Sequence, residues 1–322
     1  VDEPNPFLRW AMYHFAGGDA FVWGLVGFAV CQFAQTRIQT RSGRRWLTIG
    51  ARLGLVWAIA VLPPTPLPLL AALVGMMGVW VWNQWRNRSV AAEAADGPVP
   101  RRERLLRLSM AGLALAMAGA EVSHFQSPSR LPTVAVLSVV GDSITAGLND
   151  GEDTWPQKLS RQTGIQVRDA SQPGATLKSA LGQVELLAPL ASDLLILEIG
   201  GNDLLEGLPV DEFDRNLDHL LQACTKTGRP TVMFELPLPP LATRYGASQR
   251  RQAQRYQVPL IPRRKFLSVL TAKGATVDGI HLSDAGQSRM AQIAQNLLNL
   301  PPSPTSNSGD YRHLEPVQKR AP

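Results

Sequence analysis

Four short segments concentrate the side chains capable of nucleophilic acyl chemistry: Gly141-Asp142-Ser143-Ile144-Thr145-Ala146-Gly147, Ser171-Gln172-Pro173-Gly174, Gly200-Gly201-Asn202-Asp203 and Asp278-Gly279-Ile280-His281. A serine hydroxyl is a weak nucleophile until a neighbouring base takes its proton, and an imidazole, which titrates near neutrality, is the natural base. That reasoning pairs Ser143 with His281. Asp278 lies three residues before His281, close enough in a loop or a first helical turn to hold the other ring nitrogen and stabilise the imidazolium. Glycines around Ser143 let the backbone turn sharply and leave room for an acyl group. Each residue alone has a plainer role. Ser143 and the Asn202/Asp203 pair can cap helices, Gly174 can serve a turn, and a lone Asp-x-x-His is more often structural. Their occurrence together and in order is what favours chemistry.

The elements that must position these residues are readable downstream of residue 131. Short β-branched runs at 133–140, 166–170, 194–199, 231–236 and, more weakly, 258–261 predict strands. Amphipathic stretches at 154–162, 176–190, 211–227, 247–256, 264–272 and 283–298 predict helices between and after them. Near-continuous apolar strands alternating with helices imply a parallel sheet covered on both faces, a three-layer doubly wound α/β domain over residues 131–300. In such a sheet reactive groups collect outside the carboxyl ends of the strands. Each of the first three segments follows a predicted strand, and the fourth follows the last.

This set and its order resemble the SGNH (GDSL-type) hydrolase superfamily, named for its Ser, Gly, Asn and His. Trp155-Pro156, the Leu197-Glu198-Ile199-Gly200-Gly201-Asn202-Asp203 run and Val258-Pro259-Leu260 are similar to the pattern of its bacterial periplasmic arylesterase, acyl thioesterase and lysophospholipase group. One departure is Leu282, where many members have Pro after the catalytic His. The resemblance implies a flavodoxin-like α/β/α fold and an ester hydrolase with Ser143 as nucleophile and the Asp278/His281 pair as base. It also implies an oxyanion hole from the Ser143 and Gly174 amides and the Asn202 side chain, Asp142 and Asp203 as supporting residues, and no cofactor or metal. The substrate would be an ester or acyl compound, lipid esters included.

Residues 1–130 have a different character. Apolar stretches at 20–34, 47–62, 67–82 and 108–122 predict about four transmembrane helices, each somewhat short for a span, with flanking Trp and Arg extending the usable length. Arg37, Arg41, Arg44 and Arg45 separate the first two stretches, and Arg86, Arg88, Arg101, Arg102 and Arg104 the last two, which predicts that both loops are cytoplasmic. Asp2, Glu3 and the Pro63-Pro64-Thr65-Pro66 turn carry almost no positive charge. An even number of crossings then puts the hydrolase domain on the extracytoplasmic side of a membrane, expected to be a bacterial inner membrane. The first stretch lacks the basic leader of a cleavable signal. This part holds 13 Lys/Arg against 7 Asp/Glu, whereas residues 131–322 hold 19 of each, so the net charge of +6 sits wholly in it. These arginines lie between apolar stretches, which argues for topology and against a nucleic-acid partner. The Pro- and Ser-rich tail, 301–322, is expected to be disordered.

Cys31 and Cys224 offer no disulfide framework and read as buried side chains. A metal-dependent phosphoesterase is disfavoured because, of five histidines, His14 and His124 adjoin apolar stretches, His219 lies within a predicted helix and His313 in the tail. O-acyl transfer or deacetylation on an envelope polysaccharide would use the same residues, and a non-catalytic membrane sensor would keep the fold alone. Leu204, Leu205, Leu208 and residues 237–241 follow strand ends and are candidates to line an acyl pocket. Protein partners are not indicated.

Overall fold

The computed structural model describes residues 5–60, 62–63, 67–86, 98–128, 131–132, 134–149, 151–190, 192–239 and 242–303. Asp2, Glu3, Arg88, the Pro64-Thr65-Pro66 part of the predicted turn, Pro240, Leu241 and the tail from 304 lie outside the described residues.

Five helices come first: α1 (Pro6–Gly17), α2 (Asp19–Gln35), α3 (Arg41–Ala60), α4 (Leu67–Arg86) and α5 (Arg101–Ser123). They bury Phe21, Leu25, Phe28, Met110, Ala114 and Met117 among themselves. α2 and α3 pack backbone to backbone. A Cβ at Gly24 would stand 2.6 Å from the Gly54 carbonyl oxygen, and one at Gly54 2.8 Å from that of Gly24. Only residues without a side chain at both positions allow so close an approach.

The expectation of four spans is only partly met. Among the described residues, α5 alone qualifies as a single helix on length and composition, and α1 with α2, bent by 77° at Gly18, qualifies as a pair. α3 falls short because it contains Arg41, Arg44, Arg45 and Arg52, and the apolar part of α4 is limited to Ala71–Trp82. α1 was not foreseen, its aromatic residues being interrupted by Arg9 and His14.

The α/β domain follows the expected order. Its strands are β1 (Val136–Gly141), β2 (Gln166–Asp169), β3 (Asp193–Glu198), β4 (Thr231–Phe234) and β5 (Leu260–Ile261). Its helices are α6 (Ser143–Ala146), α7 (Trp155–Thr163), α8 (Ala180–Leu186), α9 (Gly201–Leu205), α10 (Val210–Thr225), α11 (Thr243–Arg255), α12 (Arg263–Leu270) and α13 (Asp284–Leu297). All pairings are parallel and the order is β2-β1-β3-β4-β5, with Val136 opposite both Gln166 and Asp193. This is the flavodoxin-like arrangement. Alternate side chains serve two cores. Leu137, Val139, Leu194, Ile196 and Phe234 face α7, α12 and α13, whereas Val140, Leu195, Leu197 and Met233 face α8 and α10. The predicted 176–190 helix contracts to seven residues, because 176–179 form a turn that Ser179 closes on Thr176. Cys224 is buried in this second core and burial pushes its thiol up to about 12, whereas Cys31 is only partly buried.

Candidate functional site

Sheet order reverses between β1 and β3, so the crevice at their carboxyl ends is where this topology opens a site. Ser143 leaves β1 there. Gly141 ends the strand, Asp142 turns it, and the Asp142 carboxylate accepts the Ile144 amide at 3.0 Å as the N-cap of α6. The strand end is pinned by Gln183, whose side-chain amide accepts the Gly141 N–H at 3.0 Å and donates to its carbonyl at 3.1 Å. As first residue of α6, Ser143 has a backbone N–H without a partner inside its own helix.

His281 Nε2 lies 3.1 Å from Ser143 Oγ, and its Nδ1 lies 2.6 Å from Asp278 Oδ2. The other Asp278 oxygen accepts the backbone amides of His281 (2.8 Å) and Ile280 (3.0 Å), which fixes the carboxylate against the ring. Those bonds, led by the one to the His281 side chain, hold the Asp278 carboxyl down at about 2. The loop turns at Gly279 (φ +95°), a left-handed conformation that side chains resist, and is clamped by the Val277 amide on the His281 carbonyl at 2.9 Å. Leu282, at the position where the resemblance expects Pro, is buried in the first core.

The remaining predicted residues converge on the same edge. Gly174 stands exposed at φ +72° in the loop after β2, and a Cβ there would meet nothing within 4 Å. Asn202 Nδ2 donates to the Ala175 carbonyl at 2.8 Å, which fixes the amide plane beside that loop. Asp203 accepts the Leu177 amide at 2.9 Å, tying the same loop to α9, and its own carboxyl is raised by burial. Ser143, Asp278 and His281 are thus in direct contact, while Gly174, Asn202 and Asp203 are joined to one another through 175–177.

The leucines proposed for an acyl pocket divide. Leu204, Leu208 and Leu238 pack against the second core, while Leu205 is exposed. Leu204, within α9, and Leu208, just after it, are partly buried there, and Leu238, beyond β4, is buried. Among the described residues no cluster of three or more His, Cys, Asp or Glu is disposed to hold a metal ion.

One functional residue went unread in the sequence: Glu198. It ends the strand Asp193–Glu198, after the apolar run 194–197, and is buried. Its carboxyl accepts the Thr145 hydroxyl at 2.8 Å and shares a hydrogen bond with Asp142. Burial, then the Asp142 charge, raise Glu198 well above the usual carboxylate range. Burial also raises Asp142, to about 6. Thr145 in turn accepts the indole N–H of the buried Trp155 at 3.2 Å. An acid closing a Leu-Leu-Ile-Leu run was the available signal, since burying a carboxyl requires partners.

Residues 139–289 match the GDSL-like Lipase/Acylhydrolase family. An arylesterase from Vibrio mimicus is 29% identical over 177 residues, which cover 50% of this chain and 88% of its own. The thioesterase 1/protease 1/lysophospholipase L1 of Escherichia coli (strain K12) is 27% identical over 183 residues, covering 53% and 88%. Among solved structures, the psychrotrophic esterase EstA from Pseudoalteromonas sp. is 22% identical with a TM-score of 0.46, over 51% of this chain and 97% of its own.

Proposed function

We propose that this chain, whose residues 139–289 match the GDSL-like Lipase/Acylhydrolase family, is a membrane-anchored serine ester hydrolase working through an acyl-enzyme on Ser143. The observation that carries this reading is the unbroken line from Ser143 Oγ through both nitrogens of His281 to Asp278, at 3.1 and 2.6 Å. Ser143 Oγ attacks the acyl carbonyl carbon while its proton passes to His281 Nε2. Asp278, ionised and fixed by two backbone amides, keeps the proton on Nδ1 and stabilises the imidazolium. The tetrahedral oxyanion is met by the Ser143 and Gly174 amides and the Asn202 side chain. The imidazolium then protonates the leaving oxygen or sulfur, the acyl group stays on Ser143, and the same His281 draws a proton from water to release the acid. Asp142 and Asp203 support the two loops that carry the oxyanion donors.

The substrate in this reading is a carboxylic ester or thioester, lysophospholipids included. The chain divides near residue 130 into an anchoring region and the hydrolase domain. Anchoring is supported by the outward faces of the helices, where Val30, Leu53, Val56, Val74 and Leu115 are exposed. It is supported also by length, since the 23 residues of α5 reach about 34 Å against a hydrocarbon core of about 30 Å. The hydrolase domain seats on the bundle end remote from the arginine-rich loops, which supports an extracytoplasmic position.

The test is hydrolysis of a short-chain aryl ester by the full chain in detergent and by its Ser143→Ala variant. The variant is expected to lose at least about 10³-fold in kcat. Equal rates for the two would overturn the assignment.

A further inference from the structure

The domain does not hang from the bundle by a linker alone. Glu121, buried near the end of α5, accepts Arg250 at 2.7 and 3.0 Å and Arg263 at 2.7 Å. Arg250 also binds Glu235 at 2.7 Å. Glu235 is the first residue after β4, and Arg263 opens α12 just after β5. Thr243, in the connection that follows β4, donates to the Leu62 carbonyl beyond the end of α3 at 2.6 Å. Arg264 pairs with Asp19 at the start of α2 at 3.0 Å and lies over Phe125 at 4.3 Å. The start of α2 and the ends of α3 and α5 form one end of the bundle. That end is therefore fixed to the carboxyl edge of β4 and β5, the sheet edge from which Ser143 and Asn202 also emerge. With strands spaced at about 4.8 Å, β1 stands roughly 10 Å from β4 and roughly 15 Å from β5. The catalytic edge overhangs the bundle end and faces the same way.

Two further observations say what lies beneath it. The α/β domain exposes few large apolar side chains, and four of them sit on the catalytic loops: Leu148 after α6, Leu205 at the end of α9, and Val277 and Ile280 on either side of Asp278. At the same bundle end, α1 turns 77° away from α2 and exposes Phe7, Leu8 and Trp10. A helix across the bundle axis with aromatic residues outward is suited to the plane of a membrane interface. In the reading that follows, the bilayer surface lies at the level of that helix.

We propose that Leu148, Leu205, Val277 and Ile280 form an interfacial surface that rests on the bilayer spanned by the bundle, so that Ser143 opens towards lipid and takes an amphiphilic acyl ester from the membrane surface. The proposal rests on reading residues 1–130 as the membrane anchor and Ser143 as the nucleophile, and it adds the partner of the catalytic rim. It also accounts for leucines in exposed loops, where solvated hydrolases gain nothing from them. Multiple helices clamped to the domain hold the mouth at a fixed height, which a flexible single-helix tether would not do.

The test places a polarity-sensitive fluorophore on the full chain at Leu148→Cys, Leu205→Cys or Leu186→Cys, in a Cys31→Ala background with Cys224 shielded by burial. Leu186 is as exposed as Leu205 (69% against 66%) but ends α8, at the opposite edge of the sheet. The proteins are reconstituted in phosphatidylethanolamine/phosphatidylglycerol vesicles carrying a headgroup nitroxide. Labels at 148 and 205 are expected to shift to the blue and lose most of their emission to the nitroxide, while the label at 186 stays water-like and bright. Identical emission at all three positions would overturn the proposal, and failure of the chain to float with the vesicles would overturn the anchor on which it depends. Hydrolysis of a water-soluble short-chain ester by the same samples reports separately on the nucleophile.

Discussion

In the α/β domain, Leu137, Val139, Leu194 and Phe234 are enclosed, while charged side chains such as Arg251, Arg255 and Asp284 face outward. The helical region also encloses apolar side chains, but leaves many others outward. Trp46, Leu53, Val56 and Trp82 face outward, and Arg107 lies inside, bound to Glu103, Gln32 and Gln35. Apolar surface is driven from water, and outward apolar faces on the helical region are what the proposed membrane anchor requires. In the α/β domain, Leu148, Leu205, Val277 and Ile280 near the candidate site also face outward, as do Leu186 and Leu190 elsewhere.

That contrast can be sharpened by variants that act on one region and spare the other. The largest effect belongs to Asn202→Ala in the α/β domain. Loss of an oxyanion donor is expected to lower kcat by about 10²- to 10³-fold with KM much less affected. A parallel loss in kcat and melting temperature would assign Asn202 to holding the Ala175 carbonyl alone. Next comes Gly24→Val in the bundle, where the added carbons meet the Gly54 backbone. Overpacking of this kind costs about 1–3 kcal/mol. Thermal unfolding in detergent should show the bundle melting earlier while the rate of ester hydrolysis at low temperature holds. A fall in that rate would mean the regions are not separable.

The smallest effect, and the most specific, concerns pH. Burial raises Asp142 to about 6 and Glu198 well above the carboxylate range. For groups raised on folding, the stability contribution is complete below the unfolded pKa near 4 and is lost as pH rises through the folded values. Compared at about pH 5 and about pH 8, on either side of the Asp142 value of about 6, the wild type should therefore lose stability as pH rises. Glu198→Gln keeps a donor for Asp142 and an acceptor for Thr145, changes stability at the lower pH by under about 1 kcal/mol, and flattens the dependence. Melting temperatures at the two pH values check this. An unchanged slope would mean that other groups set it.

How much was legible in the sequence follows from the same physics. Strand positions read well because a covered parallel sheet needs unbroken apolar runs, and Asp193–Glu198 begins and ends within one residue of the run at 194–199. The four segments proposed for catalysis stand out as short polar motifs at strand ends, where side chains are not used for packing, and the structure brings Ser143, His281 and Asp278 of two of them into contact. What failed to read was set by distant partners. β5 shrinks to Leu260–Ile261 because its pairing is confined to Met233 and Phe234. Leu204 and Leu208 are drawn into the second core, which no local pattern announces. Glu198 becomes tolerable only through Thr145 and Asp142 from another strand's loop, and Glu121 only through Arg250 and Arg263, 129 and 142 residues away.

The central claim is that Ser143 is the hydroxyl activated by His281, and covalent capture addresses it most directly. The full chain is exposed to a fluorophosphonate ester at neutral pH, digested, and mapped by mass spectrometry. A single adduct on the Ser143 peptide, absent when the same chain carries His281→Ala, is the predicted result. Labelling elsewhere, or labelling of Ser143 at an undiminished rate without His281, would contradict the account.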